Sequence, residues 1–306
     1  MRLQAGQIDL IDYLLTPEDF LHLSKQGKPI EVANAGPSGR LMIYWFNLSP
    51  VPKGKDTHLE RLKRGWFGQL EFRQAVSTAI SRQTISRNVF QGQARPAWGL
   101  VPFSVRRWFA EDVQKYEYNR EGARALLREA GFSWRRQGDG EILLDPQGRR
   151  VEFEILTRSD VLLGRIAAVI QSDLEALGIQ AGIRQEEFRT VISRIGAGDY
   201  DSVLFSLGSP PEPAEHMNVL LSSGNMHLWH RAQKQPATKW ERRVDELMLE
   251  QVRTLDAKKR ERLYEEVQQI LAKQVPLIPL VNRDLLLAWN TSLKNVRASS
   301  LFPFAL

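Results

Sequence analysis

The chain has no cysteine among its 306 residues. That excludes a disulfide framework, a zinc–thiolate centre and a cysteine nucleophile. No apolar run is long enough to cross a bilayer, so no membrane span is expected. The five histidines, His22, His58, His216, His227 and His230, match no metal-binding spacing. They read as surface side chains, and neither a metal nor a cofactor is expected. The phosphate-cradling GxxxxGK(S/T), the dinucleotide GxGxxG, the zinc-protease HExxH and the hydrolase GxSxG are all missing. So are internal repeats and low-complexity tracts. Residues 1–15 carry acids and too little apolar sequence for a secretory signal. Ile8, Leu10 and Ile11 form an apolar run with no cap or turn before it, so an upstream part is expected.

What remains is an ordinary globular composition, 42% hydrophobic and 25% charged. The length suits one large domain or two lobes. Net charge is +6, but the basic residues are scattered. The tightest run, Lys258-Lys259-Arg260, shares its predicted helix with Glu261, Glu265 and Glu266. It reads as a solvated helix face, and nucleic acid is not an expected partner.

The most patterned stretch is 151–207. Val151, Phe153 and Ile155 alternate with acids, as in a strand with one buried face. Leu162, Ile166, Val169, Ile170 and Leu174 recur at helical spacing, and Gly178 stands where a helix ends. Ile179, Ala181 and Ile183 alternate again. A short helical stripe follows, Phe188 to Ile195, and then Val203, Phe205 and Leu207 alternate a third time. Strands separated by helices pair in parallel through right-handed crossovers. Their ligands lie beyond the strands' carboxyl ends. Here those ends are Thr157-Arg158-Ser159 and Leu207 to Glu212.

The flanks are plainer. Thr16-Pro17-Glu18-Asp19 opens a helix. Gly36-Pro37-Ser38-Gly39 reads as a turn, and Leu41 to Asn47 as a strand buried on both faces. A helix is expected over 70–90, and another from an Asn119 cap to Gly131. Between them, Trp98, Phe103, Trp108 and Phe109 sit in an irregular segment. Such aromatics line a groove or cap a core, and capping is the expectation. Met226–Trp229 reads as a short edge strand. Helices are expected over 240–255 and after an Asp256 cap. The two prolines of Val275 to Val281 argue against a central strand there and for a crossover. Asp284–Trp289 reads as the last strand.

Arg158 at a strand end suits bidentate capture of a carboxylate, and pairing to a surface acid is the competing reading. An enzyme using Asp201 and Glu212 as paired carboxylates is disfavoured, because they fall at opposite ends of one strand.

The ordered segments resemble the family 5 solute-binding proteins of ABC transporters, the dipeptide, oligopeptide and nickel binders. FNLSP is similar to the family's crossover strand. Arg73-Gln74-Ala75, Ala79-Ile80-Ser81-Arg82 and Gly92 resemble its signature helix, with Ser81 where Asp is usual. YNREGARALLREAGF, IQSDLEALGIQAGI, GDYDSVLFSLGSPPEP and LYEEVQQILAKQVPLIPLV resemble the segments that follow. The resemblance implies an α/β, two-lobed periplasmic-binding-protein-like (type II) fold with most of the first lobe missing. Residues 1–46 would be a remnant of lobe I, 47–275 lobe II and 276–306 the return segment. It further implies no catalysis, a periplasmic or extracytoplasmic location, ABC permease subunits as partners, and a peptide or other small solute as ligand. The ligand-binding set it implies is Arg158, Leu207, Gly208, Ser209, Glu212 and Asn47. Dipeptide binders carry an amine-holding Asp where this chain has Ser209, and Glu212 offers charge only from a shifted position. A longer peptide held by its backbone, or another solute, therefore stays open. So does an intracellular solute-sensing domain of a transcription regulator.

Overall fold

The computed structural model describes residues 2–12, 15–51, 58–208 and 211–300. From the N-terminus, β1 (Leu10–Ile11), α1 (Pro17–Ser24) and β2 (Ile30–Phe46) lead into α2 (His58–Gly68), α3 (Leu70–Ala79) and the single turn α4 (Arg82–Thr84). Next come β3 (Ala94–Pro96), α5 (Arg120–Glu129), β4 (Ser133–Gln137) and β5 (Gly140–Leu144). The central unit is β6 (Glu152–Arg158), α6 (Val161–Glu175), β7 (Gln180–Glu186), α7 (Phe188–Ala197) and β8 (Ser202–Gly208). The short α8 (Met217–Leu220), then α9 (Lys239–Arg253), α10 (Ala257–Gln274) and β9 (Ile278–Asn290), complete the chain.

The central unit forms as its periodicity dictates. β6 pairs in parallel with β7 and with β8. Asp160 caps α6, its Oδ1 accepting from the amides of Leu162 and Leu163 at 3.0 Å each. Gly178 follows α6 at φ +83°, and a Cβ there would lie 2.7 Å from the Leu143 nitrogen, so no side chain fits. Antiparallel β2 and β9 extend the sheet in the order β1-β9-β2-β8-β6-β7, with β3 also on β9.

Alternate residues of β2 feed two cores on opposite faces of the sheet. Met42, Tyr44 and Phe46 pack with α3 and α6, and Leu41, Ile43 and Trp45 with α7, α9 and α10. The first core is centred on Phe46, which stacks on Phe67 at 4.7 Å and meets Phe153 edge-on at 5.4 Å. Each such contact adds about 0.5–1.5 kcal/mol to the burial of the rings. The outer halves of β2 and β9 serve two smaller clusters, built around Leu23, Ile30 and Leu286 and around Leu285, Leu287 and Trp289.

Several elements depart from the sequence reading. Gly36-Pro37-Ser38-Gly39 is not a turn but lies inside β2. The register against β9 slips on both sides of Pro37, and Gly36 takes φ +81°. Asn282 repairs the slip: its Nδ2 donates to the carbonyls of Ser38 and Arg40 at 2.8 Å each. β9 begins at Ile278 and takes in Pro279, although prolines argued against a strand there. The missing donor falls at a register irregularity, and the Pro279 carbonyl accepts from the Nε of buried Arg82 at 2.9 Å. The single helix expected over 70–90 breaks at Ile80, which is extended; Ser81 then recaps the chain, and Ile85–Val89 winds as a π-helix. Residues 226–229 form no strand. His216 and His227 are buried rather than at the surface. His216 Nδ1 meets the Tyr264 hydroxyl at 2.7 Å, and His227 Nε2 lies 3.8 Å from Glu241.

Candidate functional site

The carboxyl ends of β6 and β8 open into a cavity of about 530 Å³, within the range typical of small-molecule sites. Its walls come from β2, β6, β8, β9, the Thr16 cap of α1 and the first turns of α6 and α7. Arg40, Arg158 and Arg283 supply charge, and Met42, Leu162, Phe188 and Phe205 supply apolar surface. Asp160 is the one carboxylate among the lining residues. Its Oδ2 holds the Arg158 Nη2 at 2.7 Å while its Oδ1 caps α6, so one side chain fixes both helix start and guanidinium. The Thr157 hydroxyl donates to the Leu204 carbonyl at 2.9 Å, which locks the end of β6 to β8. Arg40 donates from Nε to the Ser206 hydroxyl and from Nη2 to the Ser206 carbonyl, both at 3.1 Å.

A second and larger cavity, about 760 Å³, is bounded by Gly36 and Pro37 of β2 and by the segment after β3. Trp98, Phe103 and Phe109 line it, with Arg95, Arg106 and Lys115. The Phe103 and Phe109 rings are 4.7 Å apart, and the Phe103 amide donates to the Asn282 Oδ1 at 3.0 Å. The irregular aromatic segment therefore serves both roles: Val105 and Trp108 enter a core, Trp98 and Phe103 border the cavity, and Phe109 does both.

Of the residues expected to bind ligand, Arg158 lines the strand-end cavity. Gly208 pairs with Arg40, and Leu207 pairs with Leu41 and packs against a core. Ser209 lies outside the described residues. Glu212 is held away by an ion pair with Arg260 of α10, whose guanidinium lies 5.1 Å from the Trp108 ring centroid. Asn47 has no exposed surface. Its Nδ2 donates to the carbonyls of Gly198 and Tyr200 at 2.9 and 3.0 Å, and its Oδ1 accepts the Ser49 amide. It fixes the exit from β2 and touches neither cavity. Arg40, Arg283, Phe188 and Phe205 were not foreseen. The readable signal for Arg40 was an arginine placed directly before an all-apolar strand.

Among the described residues no cluster of three or more His, Asp or Glu side chains could hold a metal, and no helix is long and apolar enough to cross a membrane. Asp201 and Glu212 sit at opposite ends of β8. Asp201 Oδ2 bonds Lys63 Nζ at 2.7 Å and the Glu154 amide at 3.0 Å, far from the ion pair of Glu212.

This α/β arrangement is the fold of the periplasmic binding proteins. The oligopeptide-binding protein AppA from Bacillus subtilis, solved with a nonapeptide, superposes with a TM-score of 0.78 at 22% identity, covering 98% of this chain and 55% of that one. The periplasmic binding protein MelB from agrobacterium fabrum, solved with stachyose, gives a TM-score of 0.82 at 20% identity over 94% of this chain and 45% of that one. The chain belongs to the bacterial extracellular solute-binding proteins, family 5, whose middle region matches residues 1–227. Among curated relatives, the di/tripeptide-binding protein 2 of Pseudomonas aeruginosa is 27% identical over 248 residues, 78% of this chain and 42% of that protein. The chain thus spans about two-fifths of the length of that relative.

Proposed function

We propose that this chain is the substrate-binding part of an ABC importer for peptides or peptide-like solutes, working outside the cytoplasmic membrane and presenting its solute to permease subunits. The observation that carries the reading is the strand-end cavity, where Arg40, Arg158 and Arg283 stand beside an apolar wall. A peptide presents that combination, a carboxylate next to side chains. Arg40 and Arg158 would meet its polar end, and Phe188 and Phe205 would face an apolar side chain. No chemistry is assigned, because the two carboxylates that hydrolysis would pair are separately occupied by Lys63 and Arg260.

The test is a thermal-shift screen of the chain against di- to pentapeptides. A ligand that binds the folded state raises the melting temperature, and a hundred-fold excess over Kd adds about 2.7 kcal/mol of stability. A rise with peptides, absent with free sugars, is the expected outcome. No rise with any peptide at millimolar concentration would refute the reading.

A further inference from the structure

The guanidiniums of the strand-end cavity are not equivalent. Arg158 already has a counter-ion in Asp160, at 2.7 Å. Arg40 is half-buried and makes no ion pair among the described residues. Its side edge is committed to a neutral partner, Nε to the Ser206 hydroxyl and Nη2 to the Ser206 carbonyl. The end edge, formed by Nη1 and the second hydrogen of Nη2, has no acceptor among the described residues. Two parallel N–H bonds on that edge match a carboxylate.

Its surroundings keep the edge open. Arg40 pairs with Gly208 across the ladder, and a Cβ on Gly208 would lie 3.6 Å from Nη1. Any longer side chain there would cover the donor. On the other side stands apolar surface: Phe188 stacks on Phe205 with centroids 6.2 Å apart, and Val161 is 71% exposed at the start of α6. A cation braced by a backbone carbonyl and a hydroxyl, beside an aromatic wall, has its direction set before any ligand arrives.

We propose that Arg40 is the anion anchor of this cavity, that it selects solutes with a carboxylate next to an apolar group, and that the bare Gly208 is what leaves it accessible. The proposal deepens the peptide reading and rests on the same site, naming the end of the solute that is read and the residue that reads it. Ser206 is the positioning residue.

N-acetyl-L-phenylalanine and its amide separate this proposal from the peptide reading, because neither has an amine and they differ in the carboxylate alone. Titrated calorimetrically into the full chain, the acid should bind about ten-fold more tightly than the amide. Arg40→Gln should abolish that preference, and so should Gly208→Leu, which leaves Arg40 and Ser206 in place and decides the matter if Arg40→Gln melts early. Equal binding of acid and amide, binding of neither, or a preference that survives both substitutions overturns the proposal. Peptide-induced thermal shifts alongside such a result would leave the importer reading standing without this anchor. Acid-selective binding without any peptide shift would do the reverse.

Discussion

Replacing Arg82 with methionine tests how the crossover strands are held. Arg82 is 4% exposed and has no carboxylate among its hydrogen-bond partners. Nε donates to the carbonyls of Ala97 and Pro279 at 3.1 and 2.9 Å. Nη1 donates to those of Ser77 and Tyr116 at 2.9 and 3.3 Å, and Nη2 to the Ser77 hydroxyl at 3.0 Å. Burial alone pushes the guanidinium down to about 9, which still leaves it charged at neutral pH. Methionine fills similar space and donates nothing. Two effects then compete. Removing a buried charge relieves a desolvation cost of several kcal/mol. Stranding buried acceptors costs about 1–3 kcal/mol each, and four carbonyls lose a donor. Substituting apolar groups for buried ions is neutral only when the partners are replaced too, and here all four carbonyls remain. The net expectation is a loss of about 3 kcal/mol. At roughly 2–4 °C per kcal/mol for a chain of this class, the melting temperature should fall by about 6–12 °C. Urea denaturation at pH 7 measures it directly. Arg82→Lys should recover only part, since one ammonium cannot span from Ser77 to Pro279. A methionine variant as stable as the parent would show that the relieved desolvation outweighs the stranded carbonyls, and the reasoning would fail.

Other substitutions follow the same logic. Gly178→Ala meets the Leu143 nitrogen at 2.7 Å in a left-handed backbone, and urea midpoints should report a loss of about 2–4 kcal/mol. Asn282→Leu leaves the Ser38 and Arg40 carbonyls and the Phe103 amide unpaired, which should cost about 3 kcal/mol and raise amide exchange at Phe103. Burial would raise the Glu241 carboxyl, but nearby His227 and hydrogen bonds from Thr238, Gln233 and Trp229 outweigh it and bring it from 4.5 down to about 2. Its ionised form therefore stabilises the fold fully above the unfolded value, and that contribution is lost as pH falls towards 2. Glu241→Gln should flatten the acid limb of stability against pH between those values; an unchanged slope would contradict the assignment.

The central unit was legible because its signals are local. Alternation in 151–155 and 203–207 and helical spacing from Leu162 to Leu174 are fixed by neighbours a few residues away, and the elements fall where those patterns begin and end. The crossover strands were not legible in the same way. Gly36-Pro37-Ser38-Gly39 has turn composition, and only a partner almost 250 residues later, Asn282, makes it a bulge instead. Pro279 reads as a strand breaker, yet its missing donor falls at a register irregularity between β2 and β9, and Arg82 from a distant turn takes up its carbonyl. The site was half legible for a related reason. Strand ends can be found from periodicity, which placed Arg158 and Gly208 at the ends of β6 and β8. Which way a side chain turns beyond the strand depends on distant partners, and Arg260 turns Glu212 away.

At the crossover, side chains take over work that ladder bonds do elsewhere in the sheet. Asn282 carries the carbonyls of Ser38 and Arg40, the Ser38 hydroxyl donates to the Arg283 carbonyl at 2.8 Å, and Arg82 carries Pro279. The slip they brace lies on the β9 side of β2; on the other side β2 runs in unbroken register against β8, and that pairing sets Arg40 opposite Gly208. Side-chain direction in a strand has period two, so a slip of one residue would turn Arg40 to the other face of the sheet. Met42, two positions on, lines the same cavity as Arg40, whereas Leu41 between them packs into the opposite core. The direction of Arg40 into the cavity thus follows from the regular β2–β8 pairing, while buried Asn282 secures the opposite edge of β2 where it slips against β9.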